Sequence, residues 1–410
     1  MKRITTYITI LLLLTACALD NATTPHSSES LNTLTVKVVY PSDYSDYSPD
    51  GMTLSISNID FGYSYTSEID AAGESAIELP DGRYIVQFSG RHDNEIFNAT
   101  ADNIMLTNKN ITLELSAIHS IAGSIIFKEI YCGGCMKTPE EGTYQYDKYI
   151  IVHNNSSTVE YLDKLCFGIL DPYNSNATNI WVSTDPDSGA TIFADELYLI
   201  QAIWQFGGDG TTFPLQPGED AVICQNGAID HAALYPLSVN LNKEGYFVLY
   251  NSIYFTSTTY HPAPGDNISV DRYLDVAIKL GQANAWPLST TSPAPVLFRV
   301  DENTTIEEYL MGDGVVFSKP GSTSDNVAKI PLDWVLDGVE VFNGSSSSNT
   351  KRFSSDIDAG YVTQTATYDG KSLHRQVDEE SSATLGYEVL IDTNNSTTDF
   401  YERSEASLHE

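Results

Sequence analysis

The chain has 410 residues, 55 acidic against 21 basic, and a formal net charge of -34. That balance repels nucleic acid and anionic lipid head groups and excludes a phosphate-neutralising surface; it suits an exposed, solvated protein, with capture of a cation or basic ligand as the functional alternative. The length exceeds one ordinary core, so two domains or one enlarged β-domain are expected.

Lys2 and Arg3 precede the apolar run Ile8 to Leu14, which leads into Leu14-Thr15-Ala16-Cys17. Charged, apolar and small-residue segments before a cysteine make residues 1–17 a secretory signal of the bacterial lipoprotein type, with Cys17 the lipidated first residue. The apolar core is too short to span about 30 Å of hydrocarbon, and no later stretch approaches the roughly 20 apolar residues of a span. Several acyl chains on one cysteine make a durable anchor where one holds only marginally. The membrane is therefore an expected partner through this anchor. An outer-membrane location with display at the cell surface is expected, the periplasmic face being the alternative. Residues 18–31 are small and polar, as a flexible tether should be.

Over residues 32–117, Leu34, Val36, Val38 and Tyr40 show the two-residue period of a half-buried strand. Further strands follow at Leu54 to Ile56 and Tyr84 to Phe88, separated by Ala72-Gly73 and Pro80-Asp81-Gly82 turns, and Ile111, Leu113 and Leu115 close the unit. Asp70-Ala71-Ala72-Gly73-Glu74-Ser75-Ala76-Ile77 and then Leu79-Pro80-Asp81-Gly82-Arg83-Tyr84-Ile85-Val86 resemble transthyretin-like or carboxypeptidase-regulatory-like modules. The resemblance implies a small Ig-like sandwich acting as a spacer.

Residues 118–410 read as a second, larger β-rich region. Ser124 to Tyr131, Tyr146 to Ser156 and Val159 to Cys166 look like the lamin-tail domain, an Ig-like sandwich, with Val152 and His153 in the place of its Glu-Leu and Lys164 in the place of a turn glycine. The likeness continues through Phe213 to Cys224, Trp334 to Glu340, Ser372-Leu373-His374-Arg375 and Asp392 to Phe400. Together these stretches resemble an uncharacterised family of Bacteroidetes lipoproteins, domain of unknown function 4876, with a lamin-tail-like core and no assigned activity. Residues 226–332 read as an insertion elaborating the same sheets. Tyr246 to Tyr250, Tyr254-Phe255 and Leu274 to Ile278 are expected strands, and Thr304 to Leu310 a short capped helix. Asn-x-Ser/Thr triplets at Asn98, Asn155, Asn267 and Asn394 are read as ordinary polar loop residues. The fold class is all-β: a small N-terminal sandwich followed by an enlarged lamin-tail-like β-sandwich.

Four cysteines remain after Cys17. Cys132-Gly133-Gly134-Cys135 suggests a small disulfide ring, since two glycines can take the positive φ that a tight ring needs. A thiolate zinc site would require Cys166 and Cys224 to converge on that loop. No Gly-x-Ser-x-Gly, His-Glu-x-x-His or phosphate-loop motif occurs. Asp185, Asp187 and Glu196 mimic three positions of a calcium loop, but the glycine comes one place early and no flanking helices are expected, so they stand as weak candidates and no metal is assigned. His153 reads as a hydrogen-bonded structural histidine, and His231 after Asp230 as the same. The 25 tyrosines, 15 phenylalanines and 4 tryptophans follow β-propensity.

The expectation is a non-enzymatic outer-membrane lipoprotein binding a ligand or partner protein at the cell surface, an outer-membrane transporter or other surface protein, as an accessory to nutrient or iron uptake. No cofactor and no nucleic acid enter. The alternatives are a structural adhesion or envelope component and, behind it, a surface hydrolase using acidic residues.

Overall fold

The computed structural model describes residues 31–92, 94–186, 191–344 and 346–409. Strand accounts for 40% and helix for 7%, so the all-β class expected from the sequence holds.

In the first unit, Leu34, Val36 and Val38 enter one core because side chains alternate along an extended chain. Their strand, Leu31–Val39, is the middle of a three-stranded sheet, antiparallel to Glu74–Pro80 and parallel to Ile111–Ser116. A five-stranded antiparallel sheet shares this core, ordered Ser64–Glu68, Thr53–Asn58, Gly82–His92, Glu95–Leu106 and Ile118–Ile121, and it contributes Leu54, Ile56, Tyr84, Val86 and Phe88. The last of these strands carries the unit beyond residue 117: Ile118 pairs with Asn98 and Ile121 with Glu95.

The larger unit is built on two sheets. One orders Phe247–Val248, Asp220–Cys224, Tyr149–Asn154, Ile125–Tyr131, Ser372–Arg375 and Phe400–Arg403. The other orders Val316–Ser318, Asn326–Pro331, Glu196–Gln205, Cys166–Leu170, Pro295–Phe298 and Val335–Gly338, with Asp275–Lys279 also paired to Glu196–Gln205. Ile125, Phe127, Ile150, Val152 and Ile223 meet Phe167, Ile169, Trp204, Leu297 and Val327 in a single core between them. The outer faces are covered too. Helix Ile306–Leu310 and Phe353 pack on the second sheet. Val239, Leu241, Ile268 and the tail residue Ala406 pack on Tyr131, Tyr149, Ile151 and Val222 of the first.

Residues 226–332 thus feed strands into both sheets. The short helix is capped as expected: Glu308 N–H donates to Thr305 Oγ1 at 3.2 Å and Thr305 N–H to Glu308 Oε2 at 3.3 Å. Tyr254-Phe255 is not a strand. Asn251 Oδ1 accepts the amides of Ile253 and Tyr254 at 3.0 and 3.1 Å, an Asx turn that outcompetes extended pairing.

The two units touch through residues 392–395. Asn98 Nδ2 donates to Thr393 O at 2.7 Å, Asn394 Nδ2 to Ser120 Oγ at 2.9 Å, Asn395 Nδ2 to Ser89 Oγ at 2.7 Å and Arg91 Nη1 to Asp392 O at 3.1 Å. Asn155 likewise clamps Leu390, accepting its amide at 2.7 Å and donating to its carbonyl at 3.1 Å. Asn98, Asn155 and Asn394 are therefore packing residues rather than the ordinary loop polars expected from their triplets.

Candidate functional site

The sequence candidates come together only in part. Cys17 and Asp187 lie outside the described residues. Asp185 follows the two-residue strand Ser183–Thr184, whereas Glu196 opens a long strand and pairs with Lys329 Nζ at 3.2 Å. Among the described residues, the group of potential metal ligands is His153, Asp220 and Glu388, and it contains neither Asp185 nor Glu196.

The disulfide expected between Cys132 and Cys135 is corrected: both are free, buried thiols. They leave the Gly-Gly turn on opposite sides of the sheet. Cys132 joins the core between the two large sheets, where its Sγ donates to Gln364 Oε1 at 2.8 Å. Cys135 turns to Asp147, Ser238 and Tyr131 on the outer face, and burial beside that carboxylate pushes its thiol up to about 12. Burial pushes the Cys132 thiol up to about 12 as well. Cys166 packs under helix Ile306–Leu310 and Cys224 behind the other sheet, so they do not converge on the loop.

Cys135 forms the floor of a cavity of about 150 Å³. The short hairpin Cys135–Met136 with Thr143–Tyr144, the inserted loop at Leu237 and Val239, the turn Tyr368-Asp369-Gly370 and the tail Ser404 to His409 surround it. The tail is held firmly. Ser407 donates its amide to Glu129 Oε1 at 2.9 Å and its hydroxyl to Glu129 Oε2, and His409 Nε2 donates to Pro236 O at 3.1 Å. Apolar Met136, Leu237, Val239 and Ala406 line the walls, with Asp369, Glu405 and His409 as the ionisable members beside Tyr368 and Ser404.

Beneath the cavity lies a buried polar network. Tyr131 OH and Ser238 Oγ both donate to Asp147 Oδ2, at 3.0 and 2.6 Å. Tyr144 OH donates to His231 Nδ1 at 2.7 Å while His231 Nε2 donates to Gly227 O at 2.9 Å, which fixes a neutral imidazole. Burial holds the pKa of His231 below its usual value, and burial with the Asp147 charge raises both phenols. Sequence reading missed this network because its members are scattered from 131 to 238. The one local signal is the charged pair Asp147-Lys148 set directly before an apolar strand.

Two other clusters are structural. Lys128, His153 and Asp220 stand side by side on neighbouring strands: Lys128 Nζ donates to Asp220 Oδ2 at 2.7 Å and to Glu388 Oε1, and the two ring nitrogens of His153 lie 2.7 Å from Asp220 Oδ1 and 3.0 Å from Glu388 O. An ammonium thus bridges both carboxylates, and both imidazole nitrogens face acceptors, so a metal would have to displace Lys128. Arg375 is buried against three carboxylates, Asp337 at 2.7 Å, Asp392 at 3.0 Å and Asp399 at 3.2 Å. Its Nε also donates to Phe127 O at 2.8 Å within the first sheet, while Asp337 stands on the second, so the cluster ties the two sheets together.

These features sit in a recognisable relative. Residues 216–407 match the family described as protein of unknown function DUF4876, and residues 1–18 match the prokaryotic membrane lipoprotein lipid attachment site. The family resemblance and the lipoprotein signal read from the sequence are both borne out. The chain is similar to the crystal structure of a DUF4876 family protein from Bacteroides thetaiotaomicron, with 26% identity, a TM-score of 0.57, and coverage of 90% of this chain and 94% of that one. A DUF3823 family protein from Parabacteroides merdae aligns over 43% of this chain and 91% of its own at 11% identity and a TM-score of 0.18, too slight a likeness to carry an argument. No curated protein matches. The chain is thus a lipid-anchored membrane protein of two β-sandwich units.

Proposed function

We propose that this protein is a non-enzymatic lipoprotein of the outer membrane that binds a partner protein at the cell surface through the cavity floored by Cys135. The observation that supports this reading is the chemistry beneath that cavity: burial keeps the Cys135 thiol and both phenols protonated, and both ring nitrogens of His231 are already engaged by Tyr144 and Gly227. Within the cavity, apolar surface outweighs the polar contribution of Asp369, Glu405 and His409. Met136 and Leu237 are exposed at the mouth, and the volume suits one side chain of a partner rather than a metabolite, whose pockets run to several hundred Å³.

Affinity capture from intact cells tests the reading. A transporter or other surface protein retained by the wild type and lost from Leu237→Asp, with unchanged circular dichroism, supports it and favours a role accessory to nutrient or iron uptake. Capture indifferent to Leu237→Asp overturns the assignment to this cavity. Protease shaving of intact cells reads surface display separately.

A further inference from the structure

One end of the first sandwich is apolar in an otherwise acidic molecule. The hairpin between Thr53–Asn58 and Ser64–Glu68 turns through Ile59, Asp60, Phe61, Gly62 and Tyr63, and its large apolar residues Ile59, Phe61 and Tyr63 are 43, 69 and 52% exposed. The rings of Phe61 and Tyr63 lie 6.1 Å apart in a stacked arrangement. Leu31 and Met105, 51 and 54% exposed, belong to the same end, because the register sets Leu31 opposite Pro80 and Arg83 opposite Met105.

Hydrogen bonds join these loops into one surface. Ile59 N–H donates to Arg83 O at 2.8 Å, Arg83 N–H to Asp60 Oδ2 at 2.9 Å, and Arg83 Nη2 to Asp60 Oδ1 at 2.7 Å. Asn32 Nδ2 donates to Asp81 Oδ1 at 2.7 Å, and Lys109 N–H to Asn32 Oδ1 at 2.7 Å. The charge is balanced across these loops: Asp60 pairs with Arg83, and Asp81 and Lys109 lie on the two loops that Asn32 joins, in a chain whose net charge is -34. The repulsion from lipid head groups that the whole molecule carries is therefore absent from this end.

This is also where the chain comes in from its anchor. Leu31 stands 14 residues after Cys17, within the matched attachment site, and that stretch reaches at most about 50 Å. The larger unit hydrogen-bonds the sandwich toward the opposite end, through Arg91, Asn98 and Ser120, and along the strand Glu95–Leu106 its Lys351 comes near enough to act on the Asp102 carboxylate.

We propose that this end docks on the membrane, with Ile59, Phe61 and Tyr63 inserted at the head-group level of the lipid bilayer that holds the anchor. Amphipathic and aromatic rings favour that depth, and exposed apolar side chains gain by leaving water there. The anchor makes docking intramolecular, so a surface too weak to bind free in solution is occupied once tethered. The lipid chains then fix position, and the hairpin fixes orientation.

The test uses the full lipidated protein in phosphatidylcholine vesicles, with Phe61→Trp as a reporter at an exposed site. The native tryptophans, Trp181, Trp204, Trp286 and Trp334, all lie in the larger unit, so the wild-type spectrum is the baseline. The added emission should shift to the blue and fall about twofold with nitroxide lipids labelled near the head group, as interfacial insertion requires. Emission that stays open to aqueous iodide and indifferent to the nitroxide overturns the proposal, as does cross-linking of residue 61 to a protein instead of lipid. A second measurement uses unlipidated Cys17→Ser protein, whose partition onto the same vesicles should fall about tenfold in Phe61→Ser/Tyr63→Ser. Equal partition of the two overturns the assignment to the hairpin.

Discussion

Lys164 has φ of 60°, the left-handed region that costs a side-chain-bearing residue roughly 1 kcal/mol. It occupies the position where the lamin-tail pattern has glycine, and its backbone does what a glycine would: its amide donates to Phe206 O at 3.0 Å, and the next amide closes a turn onto Leu162 O at 3.0 Å. The departure read in the sequence is thus a change of residue without a change of conformation. Lys164→Gly should raise stability by about 0.5–1 kcal/mol, relief of the strained backbone outweighing glycine's greater unfolded entropy, as measured by urea unfolding. The cysteines teach the reverse lesson, since Gly-Gly spacing permits a ring but does not say which way each thiol points. With both sulfurs buried and their pKa near 12, native protein at pH 8 should resist alkylation, and denaturation without reductant should expose all four thiols of the anchor-free chain. Intact mass after each treatment decides it; a two-thiol deficit in denatured protein would restore the ring.

Among the elements, the strand Ser372–Arg375 carries the most unusual electrostatics. Burial raises Asp337 to about 7 and Asp399 to about 6, their proximity to Asp392 adds to this, and Arg375 offsets only part. A raised carboxyl binds its proton more tightly folded than unfolded, so its contribution is fully present below about pH 4 and is lost as pH climbs through 6 and 7. Asp220 and Asp163 are shifted down by hydrogen bonds and act oppositely, losing their contribution only in stronger acid. Stability should therefore fall between pH 5 and 7.5, and Asp337→Asn should flatten that slope; urea midpoints at the two values check it. This knot explains what was legible and what was not. Leu31–Val39 announces itself because one face is buried and its apolar residues alternate, and the Thr305/Glu308 capping box is complete within four residues. By contrast, Arg375, Asp337 and Phe127 meet across more than two hundred residues of chain. The quoted stretches contained the partners, but nothing local pairs them. The two-residue strands escaped for a related reason, being too short to show a period.

At the scale of the whole molecule, the two units are joined by a polar seam in which Asn98, Asn394 and Asn395 do most of the bonding. Asn98→Ala removes the donor to Thr393 O and leaves a buried carbonyl without it, a loss of about 1–3 kcal/mol. Hydrogen exchange should then accelerate across 391–396 while the two cores keep their protection. The seam lies toward the far end of a unit whose strand Gly82–His92 runs for about 35 Å, so the sandwich spaces the larger unit away from the end where the chain enters at Leu31. The central place of Leu31–Val39 has a mechanical consequence. Drag on the outer unit enters at residue 31 and leaves near residue 121, along the strand's own axis. The hydrogen bonds to Glu74–Pro80 on one side and Ile111–Ser116 on the other are then loaded in shear, all rungs together, instead of being peeled one at a time. A tether fastened to an edge strand would unzip under gentle force; fastened to this one, it should let the lipid slip from the bilayer before the sandwich gives way.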